Sequence, residues 1–421
     1  MQTASVGSVR TLGTERHNIV HHDNLQPQDK ERSRYNPALE EPKIGDDEAS
    51  NEPTSLENGI FGNSSFVNHD SLHFFKDKAT GLRAIVGVHD TLLGPALGGV
   101  RVYPYANESE AIFDVLRLSR GMTFKAACAG LPLGGGKAVI FGPLPEHPDG
   151  RSAVFRRFGM CIAELAGKYI SAEDVGVQLC DMVHVKAMTD HVAGIPTEMG
   201  GSGNPAPYTA HGVFVGLKEA AKFRLEKTTL DGVRVHVEGC GSVGSRLIEK
   251  LVEENAEVYV SDINRKSLDE MKKKFGVKEV EHYDHRFEAD VDIYSPCALG
   301  GTLNDDSLKK LKAKVIAGAA NNQLLLAQKH SQALHDRGIC YTPDYIANAG
   351  GLVNVSLELR PEGWNHDFSL EYLSEQIASN LRIIFQDSKD LNITTHAAAK
   401  KLAIRRLAKA AYDQGSHKNS W

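Results

Sequence analysis

The sequence predicts an α/β protein of two domains, and three observations carry that reading. The chain has 421 residues, more than one core is usually built from and enough for two domains that each bury their own. From about residue 207, short β-like runs alternate with amphipathic stretches, the pattern of a parallel sheet with crossover helices. A glycine-rich hexad, Gly239-Cys-Gly-Ser-Val-Gly244, stands between the first of those runs and the helix behind it. The plan read from these is a tail over residues 1–58, a first α/β domain over 59–206, a parallel-sheet domain over 207–344, and a helical return to the first domain over 345–421.

The tail holds one aromatic residue, Tyr35, with eleven Asp/Glu against six Lys/Arg, so 6 − 11 = −5 of the net charge of −6 sits there. Such a stretch cannot bury enough apolar surface to offset its ordering entropy and is read as disordered. His17, His21 and His22 could hold a metal weakly, but a solvated tail is preferred. The near-neutral remainder offers no concentrated basic surface, which argues against a nucleic-acid partner. No apolar run reaches the roughly 18 residues of a membrane span, and no apolar stretch behind the first charges marks a secretory leader. Cys128, Cys161, Cys180, Cys240, Cys297 and Cys340 are scattered, without CxxC or zinc spacing. They read as reduced thiols, so no metal is expected and the expected location is cytoplasmic.

In the first domain, residues 82–89 read as a strand ending at Asp90. Asn107 can cap a helix with Glu110 three residues on, and Ile112, Val115, Leu116 and Ser119 share one helical face. A glycine-rich block then runs from Gly121 to Gly142. It sets two lysines, Lys125 and Lys137, among small and apolar neighbours. Burial disfavours the charged form of a lysine and makes it a useful base near neutral pH. The Gly134–Gly136 run is read as letting a ligand approach the backbone. Further on, Asp174 ends an apolar stretch from Tyr169, either as a turn residue or, with Lys137, as a proton-transfer carboxylate.

In the second domain, Val233, Val235 and Val237 alternate in a strand, and Val243, Leu247, Ile248, Leu251 and Val252 mark the next helix. Residues 257–261 form a second strand, with later β-like runs at 291–294, 314–317 and 338–341. The closing helix, about 397–411, carries Lys400, Lys401, Arg405, Arg406 and Lys409, read as a solvated face. A glycine hexad alone is weak evidence, but between strand and helix it becomes a Rossmann-type dinucleotide fingerprint. Gly239 permits the tight turn, Gly241 lets the backbone approach a pyrophosphate, and Gly244 allows close helix–strand packing. The anion would sit at the helix N-terminus, at Ser242 and Val243. Asp262 lies 18 residues past Gly244, at the end of the second strand. A carboxylate there accepts ribose hydroxyls and repels a 2′-phosphate, favouring NAD over NADP. Alternatively Asp262 caps a turn with Asn264, and Arg265 nearby leaves NADP open.

These segments lead to a family. The chain resembles the glutamate/leucine/phenylalanine/valine dehydrogenase superfamily, most of all its branched-chain (valine/leucine) and aromatic members. The matching stretches are Gly94–Arg101, the two-lysine block, Ala172–Gly176, Gly201–Thr209, the hexad, Asp292–Gly301, Ile316–Gln323 and Pro343–Gly351, collinear over about residues 65–415. The resemblance implies a Rossmann-like NAD-binding domain and an α/β catalytic and oligomerisation domain with a cleft between them. It implies NAD-dependent, reversible oxidative deamination of an apolar L-amino acid to its 2-oxo acid and ammonia by a homo-oligomer. By the same resemblance Lys125 binds the substrate α-carboxylate, Lys137 activates water, and Asp174 shuttles protons to and from the amino group. Thr209, Asn321 and Asn348 line the nicotinamide and substrate cleft. Gly98, Leu97, Ala172, Leu352 and Val355 face the substrate. Glutamate-specific relatives place a lysine where Leu97 stands and a hydroxyl where Val355 stands. A buried carboxylate without a partner costs several kcal/mol. Glutamate is therefore expected to be a very poor substrate, with branched-chain side chains favoured over aromatic ones. Each pocket residue taken singly is also ordinary core. A malic-type decarboxylating enzyme would need clustered acidic metal ligands, and none is evident. A non-catalytic NAD-binding regulator would have lost Lys125, Lys137 or Asp174, and all three are present.

Overall fold

The protein is described here by a computed structural model covering residues 60, 61, 66 and 68–415. The expectations for residues 1–58, disorder and the His17/His21/His22 group, lie outside the described residues.

The first sheet joins β1 (Ser71–Lys76), β2 (Arg83–Asp90), β3 (Ala96–Tyr103), β4 (Gly134–Phe141) and β5 (Tyr169–Glu173) in the order β1-β2-β4-β3-β5. Strands β3, β4 and β5 run parallel, while β1–β2 and β2–β4 are antiparallel. Helix α1 (Glu108–Ala129) covers one face of the sheet, and α2 (Pro148–Glu164) and α3 (Leu179–Lys186) follow. The pleat sorts the core between the two faces. Ile85 and Val139 meet Ile112, Val115 and Leu116 of α1, whereas Val86, Ala138 and Ile140 meet Phe155, Phe158 and Ile162 of α2. Asn107 caps α1 as its spacing predicts: its side chain accepts the Glu110 N–H at 2.9 Å, and Glu110 reaches back to the Ala106 N–H.

The glycine block from Gly121 to Gly142 divides between a helix and a strand. Helix α1 continues through Gly121 to Ala129, ends on the left-handed Gly130, and the chain returns as the interior strand β4. The Gly134–Gly136 run leaves no room for a ligand. A Cβ on Gly135 would lie 2.1 Å from the Thr123 nitrogen, and one on Gly136 would lie 2.6 Å from the Tyr169 ring. Absent side chains let α1 and Tyr169 press directly on the strand.

Helix α4 (Ala206–Leu225) leads to the second sheet, built from β6 (Arg234–Glu238), β7 (Glu257–Ser261), β8 (Lys278–Glu279), β9 (Ile293–Pro296), β10 (Val315–Ile316) and β11 (Cys340–Tyr341). Its helices are α5 (Ser242–Glu253), α6 (Arg265–Phe275), α7 (Asp305–Lys310) and α8 (Ala327–Asp336). All strands are parallel, ordered β11-β10-β9-β6-β7-β8. Strand order reverses between β6 and β9, the switch point outside which doubly wound sheets bind ligands. Strand β9 starts two residues later than its apolar run; the Asp292 side chain accepts from the Arg234 backbone N–H and guanidinium, while its own backbone bonds Arg234 and Val315.

The C-terminal helices are α9 (Asp344–Ala347), α10 (Gly350–Ser356), α11 (His366–Leu391) and α12 (Thr395–Asp413). Helix α12 packs on α1 and α11, and its basic residues are not simply a solvated face. Arg406 donates to the Ala127 and Cys128 carbonyls at 2.9 and 2.7 Å and to Asn380 at 2.7 Å, capping the end of α1. Arg405 pairs with Asp387 of α11 at 2.8 Å.

Candidate active site

Strands β3, β4 and β5 lie side by side and carry the chemistry. Lys137 sits mid-strand on β4, 6% exposed, and Asp174 follows the last residue of β5. The Lys137 Nζ donates to Asp174 Oδ2 at 2.6 Å. Gly99 on β3 makes the meeting possible: a Cβ there would lie 2.7 Å from Asp174 Cβ and 3.3 Å from Lys137 Nζ. Burial lowers the Lys137 pKa more than the facing Asp174 carboxylate raises it, and Arg101 adds a like charge. Burial pushes the Asp174 carboxyl up, but Lys137 and Arg101 together outweigh it and hold the group below the usual carboxylate range.

Lys125 projects from α1 into the same cleft. Burial pulls it down to about 8, against the opposing pull of Asp344 and with a like-charge push from Lys137. Its Nζ donates to Asn348 Oδ1 at 2.9 Å, and the Asn348 amide donates to Asn321 Oδ1 at 2.7 Å. This chain links the lysine of the first sheet's helix to the loop after β10, and Gly300, after β9, packs against the Asn321 carbonyl. Lys125, Asn348 and Asn321 are thus brought together. Thr209 lies in the first turn of α4, where its hydroxyl bonds the Pro205 carbonyl and abuts Gly351.

Leu97 and Val355 are buried in one apolar cluster, with Ala172 and Leu352 packed against it. Leu97 comes from β3, Ala172 from β5, and Leu352 and Val355 from one side of α10. Gly98 has a backbone reason to be glycine: a Cβ there would lie 1.7 Å from the Gly136 carbonyl oxygen.

At the switch point, Gly239 adopts φ +101°, open to glycine but costly for other residues. A Cβ on Gly244 would lie 1.9 Å from the Gly239 oxygen, so helix α5 can approach the turn only with glycine there. A Cβ on Gly241 would meet nothing within 4 Å, and the first turn of α5, with Ser242 and Val243, has no side-chain cap. Free N–H groups with open space before them fit a pyrophosphate. Asp262 Oδ2 accepts the Cys240 N–H and Oδ1 accepts the Asn264 N–H, both at 2.6 Å. The turn with Asn264 is therefore real, and the same carboxylate pins the glycine loop to β7. Its remaining lone pairs can accept ribose hydroxyls.

Sequence reasoning passed over Arg101, Asp114 and Asp344. Arg101 donates to Asp174 at 3.1 Å and to Asp114 at 2.9 Å. Asp344 is buried and accepts the Gln323 and Tyr345 N–H groups at 2.9 and 2.7 Å. The only available signal for Arg101 was its place two residues past Gly99, on the same side of β3. Among the described residues no group of three or more His, Cys, Asp or Glu side chains is placed to hold a metal.

A buried lysine facing a half-buried carboxylate, with the Lys125–Asn348–Asn321 chain beside it and a glycine turn opening an uncapped helix, fits a nucleotide-dependent dehydrogenase. Comparison with known proteins agrees. Residues 68–191 match the family described as Glu/Leu/Phe/Val dehydrogenase, dimerisation domain, and residues 260–415 match Glutamate/Leucine/Phenylalanine/Valine dehydrogenase. A leucine dehydrogenase of Geobacillus stearothermophilus is 45% identical over 363 residues, covering 85% of this chain and 97% of that protein. An L-tryptophan dehydrogenase of Nostoc punctiforme is 42% identical over 343 residues, covering 81% and 94%. The crystal structure of L-tryptophan dehydrogenase from Nostoc punctiforme superimposes with a TM-score of 0.72 at 40% identity, covering 82% of this chain and 97% of that one. The chain belongs to the Glu/Leu/Phe/Val dehydrogenase family.

Proposed function

We propose that this enzyme catalyses the reversible, NAD-dependent oxidative deamination of a branched-chain L-amino acid, leucine foremost, to its 2-oxo acid and ammonia. The observation that carries the reading is the 2.6 Å contact between Lys137 and Asp174 beside Lys125. NAD, held along Gly239–Gly244 and Asp262, supplies the acceptor for the Cα hydride.

Lys125, while protonated, pairs with the substrate α-carboxylate and orients Cα towards the cofactor side of the cleft. Loss of hydride leaves an iminium on the substrate. Lys137 in its neutral form takes a proton from water as the oxygen adds to the imine carbon, giving a carbinolamine. That proton crosses the short contact to Asp174, which gives it to the substrate nitrogen. Collapse of the carbinolamine releases ammonia and forms the 2-oxo acid, its hydroxyl proton leaving through the same pair. Lowering of the Lys137 pKa by burial favours the neutral form that takes this proton.

Leu97, Ala172, Leu352 and Val355 offer the side chain no charged partner, which supports an apolar substrate and disfavours glutamate. The carboxylate of Asp262 supports NAD over NADP. The match of residues 68–191 to a dimerisation domain supports a homo-oligomer. No helix of the described residues is long and apolar enough to cross a membrane. The six free cysteines support a reducing, cytoplasmic setting. The L-tryptophan dehydrogenase relative at 42% identity favours an aromatic side chain as the second reading. A panel of L-amino acids with NAD at alkaline pH, followed by absorbance of the reduced cofactor, separates them. Fastest turnover with leucine, valine or isoleucine supports the proposal; turnover confined to phenylalanine or tryptophan moves it to the second reading. Silence across the panel would overturn it.

A further inference from the structure

Arg101 is the third charged group at the catalytic pair, and nothing in the deamination steps above uses it. It projects from β3 next to the gap left by Gly99. Its Nε donates to Asp174 Oδ2 at 3.1 Å, the same oxygen that receives Lys137 at 2.6 Å. Behind it, NH1 donates to Asp114 Oδ2 at 2.9 Å, and the Tyr105 hydroxyl donates to that same oxygen at 2.6 Å. Arg117 flanks Asp114 from the next turn of α1 at 3.6 Å. Arg101, Tyr105 and Asp114 also line a surface pocket of about 360 Å³, so the guanidinium and its anchor are reached from one side by solvent.

We propose that Arg101, anchored by Asp114 and Tyr105, is a positioning residue that clamps the Asp174 carboxylate onto Lys137 and supplies the fixed positive charge against which the pair works. The inference rests on the assignment of Lys137 and Asp174 as the proton-transfer pair. A guanidinium suits the task because it cannot lose its proton and its planar fork bonds two carboxylates at once. A neutral side chain there would leave the Asp174 carboxylate to Lys137 alone. The lysine would then hold its proton more tightly, having gained the whole carboxylate and lost a like charge. The charged and titratable groups around the pair are Asp114 and Lys125 from α1, Glu173 and Tyr169 from β5, and Asp344 from α9. None of these supplies a second permanent cation at Asp174.

The test is the pH profile of kcat/KM for L-leucine with NAD in wild type, Arg101→Gln and Arg101→Lys, with KM and kcat separated. In Arg101→Gln the acidic limb moves to higher pH by about one unit, a roughly tenfold loss at a fixed pH on that limb. In Arg101→Lys the limb stays near its wild-type place, because the charge is kept. Its kcat falls about tenfold, because a point donor cannot hold Asp174 and Asp114 together. A uniform loss of rate in Arg101→Gln with the limb unmoved would overturn the proposal, as that is what a merely structural residue gives. If Arg101→Gln does not fold, Arg101→Lys decides alone, and a kcat within twofold of wild type overturns the clamp. Absence of any turnover by the wild type is a separate failure, of the deamination reading itself.

Discussion

Gly99→Ala puts one methyl group into the contact on which the chemistry depends. The new Cβ would lie 2.7 Å from Asp174 Cβ, 2.8 Å from the Glu173 carbonyl oxygen and 3.3 Å from Lys137 Nζ. Ordinary contact begins at 3.4 Å, so the worst clash requires a displacement of 3.4 − 2.7 = 0.7 Å. Neither of the two nearest atoms is the end of a flexible side chain; both ride on the backbone at the end of β5. That strand is paired to β3 with Gly99 opposite Ala172, so relief comes from moving the segment that carries Asp174. A shift of this size stretches the 2.6 Å Lys137–Asp174 bond beyond about 3.2 Å, outside hydrogen-bond range for a strong transfer. Misplacement approaching 1 Å costs on the order of 10²-fold in rate, and overpacking costs about 1–3 kcal/mol of stability. Initial rates of reduced-cofactor formation from L-leucine, with urea unfolding of the same preparation, measure both. A folded variant whose kcat stays within about threefold of wild type would show that the pair does not need this geometry.

Two glycines of the cofactor turn give opposite expectations. Gly241→Ala adds a methyl that meets nothing within 4 Å, so unfolding is unchanged while KM for NAD rises about tenfold or more; Gly244→Ala meets the Gly239 oxygen at 1.9 Å and destabilises the fold as well. An unchanged KM in Gly241→Ala would remove the pyrophosphate from that turn. Lys125, pulled to about 8 chiefly by burial, is a cation below that pH and loses its charge as pH rises through it. Inhibition by 4-methylpentanoate, an unreactive carboxylate of leucine-like shape, therefore weakens above pH about 8, by up to about tenfold per pH unit. A flat inhibition constant across that range would take the carboxylate away from Lys125.

What the sequence made legible was local. The Asn107–Glu110 cap, the Val233–Val237 alternation and the Leu247–Leu251 face each depend on residues within one turn or one strand, and the elements stand where that spacing puts them. The glycine hexad was readable because its strand–turn–helix context is also local. Gly134–Gly136 was misread because glycine serves a ligand approach and a close backbone crossing equally well. Only the position of Thr123 and Tyr169 across the sheet decides between them. Lys137 and Asp174 could be paired from the sequence as two unusual groups in apolar settings. Arg101 could not, since its contact with Asp174 spans 73 positions and exists only because β3 lies between β4 and β5. Likewise the basic stripe of α12 looks like solvated charge until α1 ends against Arg406.

The direct test of the central claim is the turnover of Lys137→Ala with L-leucine and NAD both saturating, alongside the binding of NAD to the same protein. Removal of the buried base is expected to lower kcat by about 10³-fold or more while NAD still binds normally, because the dinucleotide turn lies on the other sheet. Near-normal turnover by Lys137→Ala would contradict the assignment of the 2.6 Å lysine–carboxylate pair as the proton-transfer centre.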